Sequence, residues 1–78
     1  MPHVVIKALT GLTREQYKQA AEEIAGVLER TMGKPVRLTS VSMEEYTRSE
    51  WVGVYNEYVK DKDNVVLMPG YTDPETLL

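Results

Sequence analysis

Pro2 offers chemistry that no other residue of this 78-residue chain can supply. It follows Met1 and heads the stretch "HVVIKAL". Once Met1 is removed, its nitrogen becomes a secondary amine at a chain end. While Met1 remains, the same nitrogen is an amide with no basic lone pair. A neutral secondary amine can take a proton from a carbon beside a carbonyl and return it elsewhere. Neutrality at pH 7 requires a lowered pKa, and burial lowers it by disfavouring the cation. A base poised near the working pH is what general acid–base catalysis needs. The same amine could instead attack a carbonyl and form an iminium. The plain alternative is structural, since proline is tolerated at the first position of a strand.

Other site chemistries find little support. The chain has no cysteine and one histidine, His3, so disulfides and thiolate zinc sites are excluded and His3 cannot build a metal site alone. The acids are scattered rather than clustered, against a carboxylate-only cation site. We therefore expect no metal and no cofactor. A net charge of −3 with interspersed signs argues against a nucleic-acid partner, which favours a basic face. No apolar run approaches the roughly 20 residues that span a bilayer, and no basic-then-apolar leader opens the chain. The expectation is a soluble cytoplasmic protein without membrane contact.

The elements that must position Pro2 follow from pattern. β-Branched residues make 3–9 a strand. "TGL" at 10–12 turns the chain, and Thr13 with Gln16 forms a capping-box pattern, with Leu12 and Tyr17 as its hydrophobic staple. Tyr17, Ala20, Ala21, Ile24, Val27, Leu28 and Thr31 make one apolar helical stripe. Gly33 closes the helix and Pro35 follows. Residues 36–45 read as a second strand. Strand, helix, strand is a βαβ unit with parallel strands. "TRSEWVGVYNEYVKD" reads as a short helix, "NVVLM" at 64–68 as a strand or extended arm, "PGY" at 69–71 as a turn, and "TDPETLL" as a tail that is mobile or docks on a neighbour.

The length implies one domain over 1–78. A chain this short buries only about 60–65% of its unfolded surface, and small domains need staples, a metal or a partner. Two strands and one helix leave sheet edges and a face uncovered. A homodimer with a four-stranded sheet and helices on one face would complete the core.

These features together resemble the tautomerase superfamily of the 4-oxalocrotonate tautomerase type. The residues that carry the resemblance are Pro2 before a buried strand, "TGLTREQ" turning into a long amphipathic helix, "GKPV" before the second strand, and Trp51 soon after it. It runs without a gap from Pro2 to Trp51. "MPHVVIK" and the ending "LMPGY" are similar to the longer bacterial members described as phenylpyruvate tautomerases, which look dimeric rather than hexameric. The resemblance implies proton transfer by Pro2, with an apolar wall from Trp51.

The chain departs from the family where dicarboxylate-binding members carry arginines. The position after Gly11 is Leu12, and the second-strand position is Ser40. A less charged, aromatic-type keto acid therefore fits better than 4-oxalocrotonate. Ser40 could donate a hydrogen bond to a carbonyl or carboxylate, and Arg48, three residues before Trp51, is the nearest cation by sequence. His3 and Lys7 fall on the strand face opposite Pro2 and are expected to make inter-subunit polar contacts. Tyr55, Tyr58 and Tyr71 read as packing residues. The leading expectation is a cofactor-independent keto–enol tautomerase of a small 2-keto acid. Two others compete. One is a hydratase or dehalogenase of an unsaturated acid, which would need Glu44 or Glu45 to activate water. The other is a non-catalytic oligomeric binding module.

Overall fold

The computed structural model describes residues 1–77, and their order is strand, helix, strand, helix with short 3-10 turns. The chain divides into two compact units, Met1–Glu45 and the residues from Tyr46 onward.

In the first unit β1 spans His3–Leu9 and α1 spans Arg14–Met32, as the pattern predicts. Thr13 caps α1 by the expected reciprocal bonds. The Gln16 N–H donates to Thr13 Oγ1 at 3.2 Å, and the Thr13 N–H donates to Gln16 Oε1 at 2.8 Å. Such a box satisfies two donors that the first helical turn otherwise leaves orphaned. Gly33 ends the helix at φ 67° with its N–H on the Glu29 carbonyl at 3.1 Å, a left-handed conformation that glycine adopts at little cost.

The second strand begins later than its sequence suggests. Val36–Leu38 form a 3-10 turn, and β2 spans Ser40–Tyr46. Local bonds overrule the β-propensity of Val36 and Leu38. The Pro35 carbonyl accepts from the Leu38 N–H at 3.0 Å and from Thr39 Oγ1 at 3.1 Å. The Glu29 carboxylate takes the Val36 N–H at 2.9 Å. β1 and β2 are hydrogen-bonded neighbours in a two-stranded sheet. His3 bonds Ser40 and Ser42, and Lys7 bonds Glu44, so the register advances in the same direction along both strands and the pair is parallel.

Side chains alternate across the sheet. Val41 and Met43 share a groove with Arg14, Tyr17, Lys18 and Ala21 of α1, so α1 covers the face that carries them. His3, Val5 and Lys7 of β1 meet Ser40, Ser42 and Glu44 of β2 on the other face. Core formation is slight, because Ala25 is the one buried residue of this unit. Ala25 lies outside the seven-residue stripe read from the sequence, and Val27 within it is 41% exposed. Leu12, read as half of the staple, is 47% exposed.

The second unit is built on α2, Arg48–Tyr58. Its start is a second capping box, written in "TRSE" at 47–50. The Glu50 N–H donates to Thr47 Oγ1 at 3.2 Å, and the Thr47 N–H donates to Glu50 Oε1 at 2.8 Å. Val54 and Tyr55 are buried, and the Tyr55 ring lies 5.4 Å from that of Tyr71. Residues 64–68 form neither strand nor ladder, and Val66 is 100% and Leu67 87% exposed. An extended segment gains its backbone bonds only by joining a sheet, and none is offered to it here. The tail is a 3-10 turn, Pro74–Leu77, that contacts α2 of its own chain. Asp73 caps it, with Oδ1 accepting the Glu75 N–H at 3.0 Å and its carbonyl the Thr76 N–H at 3.2 Å.

The α2 cap gives α2 an acid-sensitive start. Bonds from Thr47, its backbone N–H foremost, hold the Glu50 carboxyl below its ordinary range. A depressed folded-state pKa contributes stability above the unfolded value, and that contribution is lost as pH falls through the folded one. We expect α2 to loosen as pH drops below about 4. Fluorescence of Trp51, the single tryptophan, should report it. Glu50→Gln keeps the cap without the charge and should flatten the acid limb.

Candidate active site

Pro2 sits half-buried at the head of β1. Its carbonyl accepts the Ser40 N–H at 3.1 Å. This bond ties the start of β1 to the start of β2, so the parallel register brings Pro2 and Ser40 together although 38 positions separate them in the chain. Met1, whose removal would free the prolyl amine, is 92% exposed.

Ser40 does not stand alone. Its Oγ lies 2.6 Å from His3 Nδ1, and Ser42 Oγ lies 3.2 Å from His3 Nε2. The imidazole therefore bridges two hydroxyls on the sheet face away from α1. Farther along that face, Lys7 Nζ pairs with Glu44 Oε2 at 2.7 Å. These are bonds within one chain. The strand pairing gives His3 the first and third residues of β2, and Lys7 the fifth. Ser42 was missed in the sequence. Its only signal was the alternation that places it beside Ser40.

Trp51 and Arg48 lie on α2. The Trp51 Nε1–H donates to Tyr71 Oη at 2.8 Å, and its ring meets Tyr46 edge-on at 6.2 Å and 70°. Its polar edge is thus satisfied by a hydrogen bond, as an indole partly removed from water requires. Arg48 is the exposed first residue of the helix.

A groove of about 380 Å3 lies between α1 and β2, lined by Arg14, Tyr17, Lys18, Ala21, Val41 and Met43. No residue singled out for catalysis lines it. Tyr17 donates its phenol to Glu45, and this bond, with desolvation and the carboxylate's charge, pushes the phenol up to about 12. Tyr17 therefore acts at neutral pH as a donor committed to Glu45. Among the described residues no group of three or more His, Asp or Glu could hold a metal ion. No helix there is long and apolar enough to cross a membrane.

A parallel strand–helix–strand unit headed by a proline defines a small α/β class, and known proteins of that class are similar to this chain. A protein of Bacillus cereus and one of Bacillus anthracis, each described as a probable tautomerase, are 35% identical over 51 residues, 65% of this chain and 84% of theirs. A solved member of the 4-oxalocrotonate tautomerase family superposes with a TM-score of 0.62 at 29% identity, over 65% of this chain and 80% of that one. YwhB, a homologue of 4-oxalocrotonate tautomerase, superposes at 0.57 with 30% identity over 60% and 77%. No protein-family model matches. The chain belongs to the tautomerase superfamily, in its 4-oxalocrotonate tautomerase type. Relatives so named support a tautomerase-like, isomerase function.

Proposed function

We propose that the protein is a cofactor-independent keto–enol tautomerase of a small 2-keto acid of phenylpyruvate type, with Pro2 as general base and acid after loss of Met1. The observation that carries this reading is the Pro2–Ser40 backbone bond of 3.1 Å. It ties the residue that carries the prolyl nitrogen to the head of a paired strand, next in the sheet to the backbone of Ser40. A base held at one place relative to a polarising donor is what proton abstraction next to a carbonyl demands. Ser40 would bond the substrate's carbonyl or carboxylate. Trp51 would supply an apolar wall and Arg48 a cation, and a second copy could bring such residues to the proline.

Both acids that a hydratase or dehalogenase would draw on have partners, Glu44 in Lys7 and Glu45 in Tyr17, so the keto–enol reading is the better supported. Self-association follows from the thin core: Ala25, Val54 and Tyr55 are the buried hydrophobics among the described residues. We assign a homodimer, with a hexamer as the alternative, and a cytoplasmic location for the single domain. The test is decay of enol phenylpyruvate absorbance. Acceleration that scales with protein concentration supports the assignment, and a rate equal to buffer alone refutes it.

A further inference from the structure

We propose that His3, Ser40 and Ser42 form a carboxylate-binding site in which the imidazole governs the two hydroxyls. The proposal extends the assignment of an acid substrate to the sheet face that carries His3, and it rests on that assignment only for the identity of the acid. Its basis is the hydrogen-bond inventory. A neutral imidazole has one N–H and one lone pair, and here its two nitrogens meet two hydroxyls at 2.6 and 3.2 Å. With the ring neutral, one hydroxyl donates a hydrogen bond to the ring's lone pair. The other receives the ring's N–H and keeps its own proton to offer outward.

An arriving carboxylate changes that balance. With a proton taken up by the ring, both nitrogens donate and both hydroxyl protons turn toward the anion, backed by a positive charge. Donors to a charged partner make the stronger class of hydrogen bond. Within this unit, the charged groups of the same face are Lys7 of β1 and Glu44 of β2, paired at 2.7 Å, with the N-terminal amine upstream. That pair is self-neutralising and leaves the His3 end as the anion-seeking end of the face. Val5 stands between them on β1 and is 45% exposed, an apolar rest for the body of a small acid. The Ser40 N–H bond to the Pro2 carbonyl, 3.1 Å, holds the backbone of this site at the head of the paired strands.

The test is calorimetric binding of 3-phenylpropanoate, an acid without a keto group, compared with its neutral amide, in two buffers of different ionisation enthalpy near neutral pH. Wild type should bind the acid with proton uptake. His3→Ala and Ser42→Ala, checked for folding by circular dichroism, should each weaken it about tenfold, and uptake should vanish in His3→Ala. Binding of the amide should be unaffected, and Ser42→Thr should restore that of the acid. Unchanged affinity in the variants, equal losses for acid and amide, or no binding of the acid by wild type would overturn the proposal. Acid binding of this kind without turnover of phenylpyruvate would keep the site and remove the tautomerase assignment. Turnover with a KM indifferent to both variants would do the reverse.

Discussion

Pro2→Ala should fold as wild type does and lose on the order of 100-fold or more in keto–enol turnover, within the range that positioned acid–base catalysis contributes. The residue left behind still has an α-amine once Met1 is removed, so the comparison isolates the proline ring and its fixed backbone rather than the mere presence of a nitrogen. The pyrrolidine ring locks rotation about the N–Cα bond, which keeps the amine lone pair in a fixed direction relative to β1. Alanine frees that torsion, and the primary amine is solvated differently. The strand should survive, because the bond from the Ser40 N–H goes to the carbonyl of residue 2, which alanine retains. The loss should therefore fall in kcat, with circular dichroism and thermal midpoint close to wild type. A variant that keeps more than half of the wild-type rate would remove Pro2 from the mechanism.

Tyr55→Ala should cost about 3–5 kcal/mol of stability, the usual range for deleting a buried aromatic. Tyr55 is 5% exposed, and with Val54 and Pro74 it forms the buried part of the second unit. Its ring also meets Tyr71, whose hydroxyl holds the Trp51 indole. Removing the ring undercuts Trp51 as well as leaving a cavity. Single domains are stable by only about 5–15 kcal/mol, and one this small has little reserve. The urea midpoint followed by Trp51 fluorescence should drop sharply. A shift below about 1 kcal/mol would mean that this cluster does not hold the second unit together.

How much of this was legible depended on whether the information was local. Thr13, Gln16 and Gly33 announce both ends of α1, and β1 follows from its β-branched residues. The late start of β2 was hidden because Val36 and Leu38 look like strand residues. What decides their conformation is the Pro35 carbonyl and a carboxylate seven positions back, at Glu29. Segment 64–68 misled for a related reason, since apolar composition does not supply a ladder partner. The site shows the same division. Pro2 is visible as a residue type at a chain end, and Ser40 by its place in the family pattern. The bridge from His3 to Ser42 is a product of parallel register, which only the folded sheet reveals. Tyr17 looked like a staple, and its partner proved to be Glu45, 28 positions away.

The central claim is that a free prolyl amine performs the chemistry. The most direct measurement is phenylpyruvate keto–enol turnover by two preparations of the wild-type chain, one lacking and one retaining Met1, each verified by intact mass. We predict activity in the preparation that begins at Pro2 and a rate near background in the one that keeps methionine, because there the nitrogen is an amide. Equal rates in the two would contradict the account.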